Sequence, residues 1–120
     1  MRVAAEVDVL EKNYDEFINK TRQLFPNIDT NLLVKALSIE RKWPKERLRF
    51  YLMITYKNGI DTDMKDRHIY SLTKRLPEHH SYNGNEVYNV DPLMTLETLK
   101  KIAEDQDIIL ISGDVSLEPY

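Results

Sequence analysis

The sequence predicts an α+β domain, a small mixed sheet of about three strands packed with four to five helices. Three observations carry that expectation. Apolar residues alternate near the N-terminus, recur at three- and four-residue steps through the middle, and form an unbroken β-branched run over 108–111.

Val3, Ala5, Val7 and Val9 fall on one side, with Arg2, Ala4, Glu6 and Asp8 on the other, which predicts a half-buried strand over 2–10. Asn13 with Glu16 three residues later makes a capping-box-like pair, so a helix begins there. Its stripe is Tyr14, Phe17, Ile18, Thr21, Leu24 and Phe25, and Pro26 stops it. Asp29 or Thr30 caps a second helix with Leu32, Leu33, Ala36, Leu37, Ile39 and Trp43 on its apolar face, and Pro44 ends it.

Pro44 also suits the first position of a third helix, with Glu46 in its first turn and Gly59 beyond its end. Leu48, Tyr51, Leu52 and Thr55 would then face inward. A hairpin competes: 50–56 is rich in β-formers, Asn58-Gly59 is a favoured two-residue turn, and Ile60, Thr62 and Met64 alternate with polar residues. The proline start and the three-residue spacing favour the helix. A capped helix follows over 63–76, with Ile69, Leu72, Thr73 and Leu76 as its stripe.

The stretch 77–85, containing Asn83-Gly84, reads as a loop or turn, and 86–90 as a short strand. Asp91-Pro92 marks a helix entry, with Thr95 as the alternative cap. Leu96, Leu99, Ile102 and Ala103 form the stripe, which ends near Glu104. The run at 108–111 fits a strand covered on both faces, and 113–120 reads as a loose tail. Strand, helix, strand over 86–112 allows a crossover, so those two strands are expected to be parallel, joined by the N-terminal strand in one sheet. No repeat or linker divides the chain, which predicts a single domain over 1–120.

At 42% hydrophobic and 31% charged residues, the composition is that of an ordinary globular protein. A chain of 120 residues should bury roughly 65% of its unfolded surface. No apolar run approaches the ~18 residues of a membrane span, and Glu6 and Asp8 interrupt what a signal peptide would keep apolar. These features predict a cytoplasmic protein with no membrane association. The absence of cysteine excludes disulfides, zinc–thiolate sites, iron–sulfur clusters and thiol nucleophiles.

The net charge of −3 is unevenly distributed: −2 over 1–34, +6 over 35–75 and −7 over 76–120. Basic and acidic surfaces on different parts of one fold explain this simply; a basic middle that meets phosphate is the sharper reading. The candidate nucleic-acid-binding set is Arg41, Lys42, Lys45, Arg47, Arg49, Lys65, Arg67, Lys74 and Arg75. Two helices over 44–76 with a wing over 78–90 would present it in a winged-helix-like manner. Asp61, Asp63 and Asp66 stand against that, because they would repel phosphates at the front of the recognition helix.

His68, His79 and His80 are the candidates for acid–base or metal chemistry, but their spacing matches no recurring ligand motif. The aspartates at 61, 63 and 66 fail the calcium-loop pattern, which requires Gly where Asp66 stands and Glu where Leu72 stands. With only Gly59, Gly84 and Gly113, no phosphate-binding loop can be drawn, and Ser112 lacks a nucleophile elbow. No catalytic residue, cofactor or metal set is therefore expected. The expected function is a small, non-enzymatic binding domain acting through a macromolecular partner, a protein or its own copies, with nucleic-acid binding as the first alternative and a histidine-based enzyme or metal protein as the second.

Overall fold

The computed structural model describes residues 2–117. Four helices and one antiparallel sheet of five strands make up the described chain, in the order α1 (Arg2–Leu24), α2 (Thr30–Lys42), β1 (Leu48–Tyr56), α3 (Thr62–Thr73), β2 (Glu78–Tyr82), β3 (Asn85–Val90), β4 (Leu93–Met94), α4 (Leu96–Ala103) and β5 (Ile108–Leu117). The mixed α+β class holds; the strand count, the sheet order and the type of several elements differ from expectation.

β1 is the centre of the sheet. It alternates strictly, with Leu48, Phe50, Leu52, Ile54 and Tyr56 buried and Arg49, Tyr51, Met53 and Thr55 facing the other way. This is the segment expected as a third helix. Two physical facts reverse that expectation. Five of its nine residues, Phe50, Tyr51, Ile54, Thr55 and Tyr56, are aromatic or β-branched, and Pro44 sits inside a tight turn, where Glu46 N–H donates to the Trp43 carbonyl at 3.3 Å and Lys45 takes φ 65°. That turn delivers the chain to Leu48 extended. The strand over 50–56 of the hairpin alternative holds, but its return strand does not, because the turn at Asn58-Gly59 leads into α3, capped by Asp61, whose side chain accepts from Met64 N–H.

β3 and β4 flank β1 on one side in a single register, Val90 opposite Leu52 and Leu93 opposite Arg49. They part at Asp91-Pro92, where proline has no N–H to give the ladder; its carbonyl accepts from Phe50 N–H instead. β5 flanks β1 on the other side. β3 and β5 therefore run parallel in direction, as expected, but with β1 between them. β2, on residues expected to be a loop, pairs with β3 through a two-residue turn in which Asn83 and Gly84 both have positive φ, the geometry that matches strand twist. The strand order β2-β3-β1-β5 with helices in two of the connections is the split β-α-β, or ferredoxin-like, topology.

β5 runs on to Leu117, so residues 113–117, expected as loose, are paired with β1; 118–120 lie outside the described residues. Gly113 is required within it. A Cβ there would overlap the carbonyl oxygen of Tyr51 on β1.

α2, α3 and α4 cover the inward face of the sheet. Leu32, Leu33 and Ala36 of α2, Ile69 of α3, and Leu99 and Ile102 of α4 join the β1 residues, Tyr88, Ile111 and Val115 in one core. Asp29 caps α2 as expected, accepting from Leu32 N–H; α4 starts not at Asp91-Pro92 but at the alternative cap, Thr95, which accepts from Thr98 N–H, because 93–94 pair with β1 as β4.

α1 departs most from expectation. The strand predicted over 2–10 is the first half of one continuous helix. Ala, Glu, Leu and Lys dominate 4–12 and favour helix. No turn residue separates the alternating stretch from Asn13, so the helix propagates through it. At about 34 Å for its length, α1 extends well past the core: the longest dimension of the chain is 60 Å and its radius of gyration 16.6 Å, against about 13.6 Å for a compact chain this long.

Candidate functional site

The nine basic candidates are spread over α2, the turn after it, β1 and α3. Arg41 and Lys42 end α2, Lys45 lies in the following turn, and Arg47 and Arg49 lead into and begin β1. Arg67, Lys74 and Arg75 belong to α3 and its exit: Arg67 bonds back to the Asp63 carbonyl, Lys74 is the left-handed cap at φ 61°, and Arg75 N–H is held by the Thr73 hydroxyl. Because β1 stands where the first helix of a helix-turn-helix would be, the winged-helix reading has no scaffold.

Lys65 is not a surface cation at all. At 9% exposure it is held by both carboxylate oxygens of Asp105, at 3.0 and 2.8 Å, and by Asp107 at 2.8 Å. Burial alone would lower its pKa, but the hydrogen bonds it donates to Asp105 and Asp107 outweigh it and hold the ammonium above its ordinary range. The same bond from Lys65 holds Asp107 below the usual carboxylate range. This triad ties α3 to the turn between α4 and β5. Tyr56 lies beneath it, with the Lys65 ammonium 5.7 Å from its ring centre.

The three histidines are split between two elements. His68 is exposed on α3, at the mouth of a cleft formed with Met64, Lys101 and Glu104. His79 and His80 are neighbours on β2 and so point to opposite faces of the sheet. His79 stacks on Tyr88, 4.8 Å between ring centres, with Asp66 3.5 Å from its Nε2 and Glu86 4.0 Å from its Nδ1. Among the described residues no group of three or more His, Asp or Glu side chains is arranged to hold a metal. The tyrosines nearby are poor acid–base groups: burial first, then the charge of Asp105 for Tyr56 and of Asp66 for Tyr88, pushes both phenols well above their ordinary range.

The open face of the sheet carries Tyr51, Met53 and Asn89, which with Leu76 of the α3–β2 loop line a shallow groove of about 410 Å³ next to Gly113. Glu78 and Asp91 rim it, so its polar edge is acidic. Such an edge repels polyanions. No helix among those described is long and apolar enough to cross a membrane.

The largest apolar exposure lies on α1. Val7, Leu10, Tyr14 and Phe17 are 45, 67, 59 and 46% exposed, and all four lie on one stripe. At the helix C-terminus the stripe is partly covered: Thr21 is buried, its hydroxyl donating to the Phe17 carbonyl at 2.8 Å, while Ile18 and Phe25 are partly buried. The helix is seated on the core by its last turns, and residues 5–17 project with their apolar side bare.

No family model, curated protein or solved structure matches this chain. Its surfaces must speak for it. The stripe on α1 is the site that sequence reading missed in part, because taking 2–10 as a strand divided Val7 from Tyr14. The signal was present in the spacing of Val7, Leu10, Tyr14, Phe17, Thr21 and Leu24, alternating steps of three and four without a break.

Proposed function

We propose that this chain is an interaction domain whose working surface is the exposed apolar stripe of α1. The observation that carries the reading is the exposure of four large apolar side chains in succession on a projecting helix. A helix held to its core only at one end gains little from packing, and an isolated helical segment of this length is marginal in water. Contiguous exposed apolar surface of this kind marks a site of protein contact. The upward shifts of Lys65, Tyr56 and Tyr88 move these groups away from the pH at which a general acid or base would work.

Amide hydrogen exchange tests this. In dilute protein the amides of 5–16 should exchange near the rate of a fraying helix while β1 amides are protected to the global limit, and protection of 5–16 should rise when the stripe is occupied. Protection of 5–16 equal to that of β1 at every dilution would show a helix that needs no partner, and would remove the reading.

A further inference from the structure

Resting on the reading of α1 as the working surface, we infer that its occupant is the α1 helix of a second copy, laid antiparallel across Val7–Phe17. The stripe has the 3.5-residue repeat of a two-helix seam, with Val7, Tyr14 and Thr21 at one seam position and Leu10, Phe17 and Leu24 at the other. A surface for a flat or irregular partner has no need of that repeat. Two helices sharing it wind around one another with the seam continuously buried.

Covering at the C-terminal end sets the overlap. Thr21 is already buried in its own copy and interrupts the seam before Leu24, which is 64% exposed, so the four uninterrupted layers from Val7 to Phe17 are the ones that pair. Antiparallel alignment of those four sets Val7 opposite Phe17 and Leu10 opposite Tyr14, each pair occurring twice about a two-fold axis. Small faces large in the outer layers, and every layer joins unlike seam positions. The bulk of each domain, at the far end of its own α1, stays clear of the other.

Charge selects the direction. Residues 5–16 carry Glu6, Asp8, Glu11, Asp15 and Glu16 against Lys12 alone, whereas 17–24 carry Lys20 and Arg22. A parallel pair would set Glu6 beside Glu11 of the other copy on both flanks, a like-charge contact repeated twice. The antiparallel pair sets Glu6 beside Lys20 of the other copy on both sides and Asn13 beside Asn13; Glu11 meets Glu11 once, on the exposed rim. The balance favours antiparallel.

The area sets the strength. If each of the four side chains loses on the order of 100 Å², given ~150–250 Å² for full burial of an aromatic one, the core of the pair buries about 800 Å² before its flanks are added, below the ~1,200 Å² of a standard specific interface and in the range of weak, transient ones. The dimer is a reversible one that forms as concentration rises.

The native chain has no cysteine, so engineered thiols report orientation without background. Glu6→Cys and Lys20→Cys copies are mixed under mild oxidation, each also alone, and Val7→Cys is oxidised alone. The expected result is a covalent dimer in the mixture and little in either single variant, since like positions lie about 18 and 24 Å apart along the paired helices at 1.5 Å per residue. Val7→Cys should stay uncoupled for the same reason. Coupling of Val7→Cys to itself would show a parallel pair and overturn the inference. So would equal coupling of every variant, which marks random collision. No coupling anywhere, with wild-type protein sedimenting as a monomer at all concentrations, would overturn the second copy as occupant while leaving α1 as a surface for a different protein.

Discussion

Replacing Lys65 by methionine probes the buried charge cluster on α3, and its magnitude can be worked from the structure. The side chain is of similar length, so little cavity is created; what is lost is the ammonium that serves Asp105 and Asp107. Removing one member of a buried pair costs ~3–5 kcal/mol, chiefly through the charge left behind. Asp105, whose side chain is 10% exposed, keeps one bond, from the Asp107 N–H at 2.9 Å, while Asp107 lies half-exposed and can return to water. The expected loss is therefore at the lower end, about 3 kcal/mol. With a urea m value of ~2 kcal/mol/M this moves the midpoint down by about 1.5 M. Far-UV circular dichroism and Trp43 fluorescence follow the transition. Lys65→Met with Asp105→Asn removes both charges together, and its loss should fall short of the sum of the single losses by at least ~1.5 kcal/mol. A Lys65→Met loss under ~1 kcal/mol, or strictly additive losses, would refute a buried, mutually dependent pair.

The same cluster sets a pH dependence whose sign follows from its shifts. Lys65 is raised above 10.5, so its contribution is present below the unfolded value and is lost as pH climbs through the folded one; Asp107 is lowered below 3.8, so its contribution is lost only as pH falls through that lower value. The gap in stability between wild type and Lys65→Met should be level across neutral pH and close at both extremes; a gap that changes between pH 6 and 8 contradicts the assignment. Gly113→Ala should cost about 3 kcal/mol or prevent folding, because its Cβ meets the Tyr51 carbonyl, whereas Gly59→Ala, with open space around it at φ 84°, should cost only about 1 kcal/mol. Comparable melting temperatures for the two would refute the close approach of β5 to β1. Tyr56→Phe should leave stability unchanged or raise it by about 0.5–1 kcal/mol, since the buried hydroxyl has no protein hydrogen-bond partner among the described residues; a loss above ~1 kcal/mol would show that the hydroxyl is bonded.

Much of the fold was legible where one period dominated. The caps at Asp29 and Thr95 and the turn at Asn83-Gly84 were each readable because a short polar side chain or a positive φ has few other uses. Reading failed where two periods fit the same letters. Residues 2–10 satisfy alternation and a 3.5 repeat alike, and only the unbroken continuation into Tyr14 and Phe17 decides between them. Residues 48–56 carry a proline start signal that a turn can use equally well, and there β propensity and burial on one face prevailed. β2 was hidden because all five of its residues are exposed, so no apolar pattern announced it; it exists by pairing with β3. The candidate site was half visible: the stripe from Tyr14 onward was read, but nothing in a single sequence says that a stripe will be left uncovered. The Lys65 triad joins residues forty positions apart, and that proximity arises only when the fold closes.

Sedimentation equilibrium on wild-type protein beside a Leu10→Glu/Phe17→Glu variant addresses the role of α1 most directly. Wild type should shift from the chain mass toward twice that mass as concentration rises, and the variant, with the same circular dichroism melt of its core, should remain at the chain mass throughout. A wild type that stays monomeric to the highest concentration, or a variant that associates as wild type does, would contradict the assignment of α1 as the self-pairing surface.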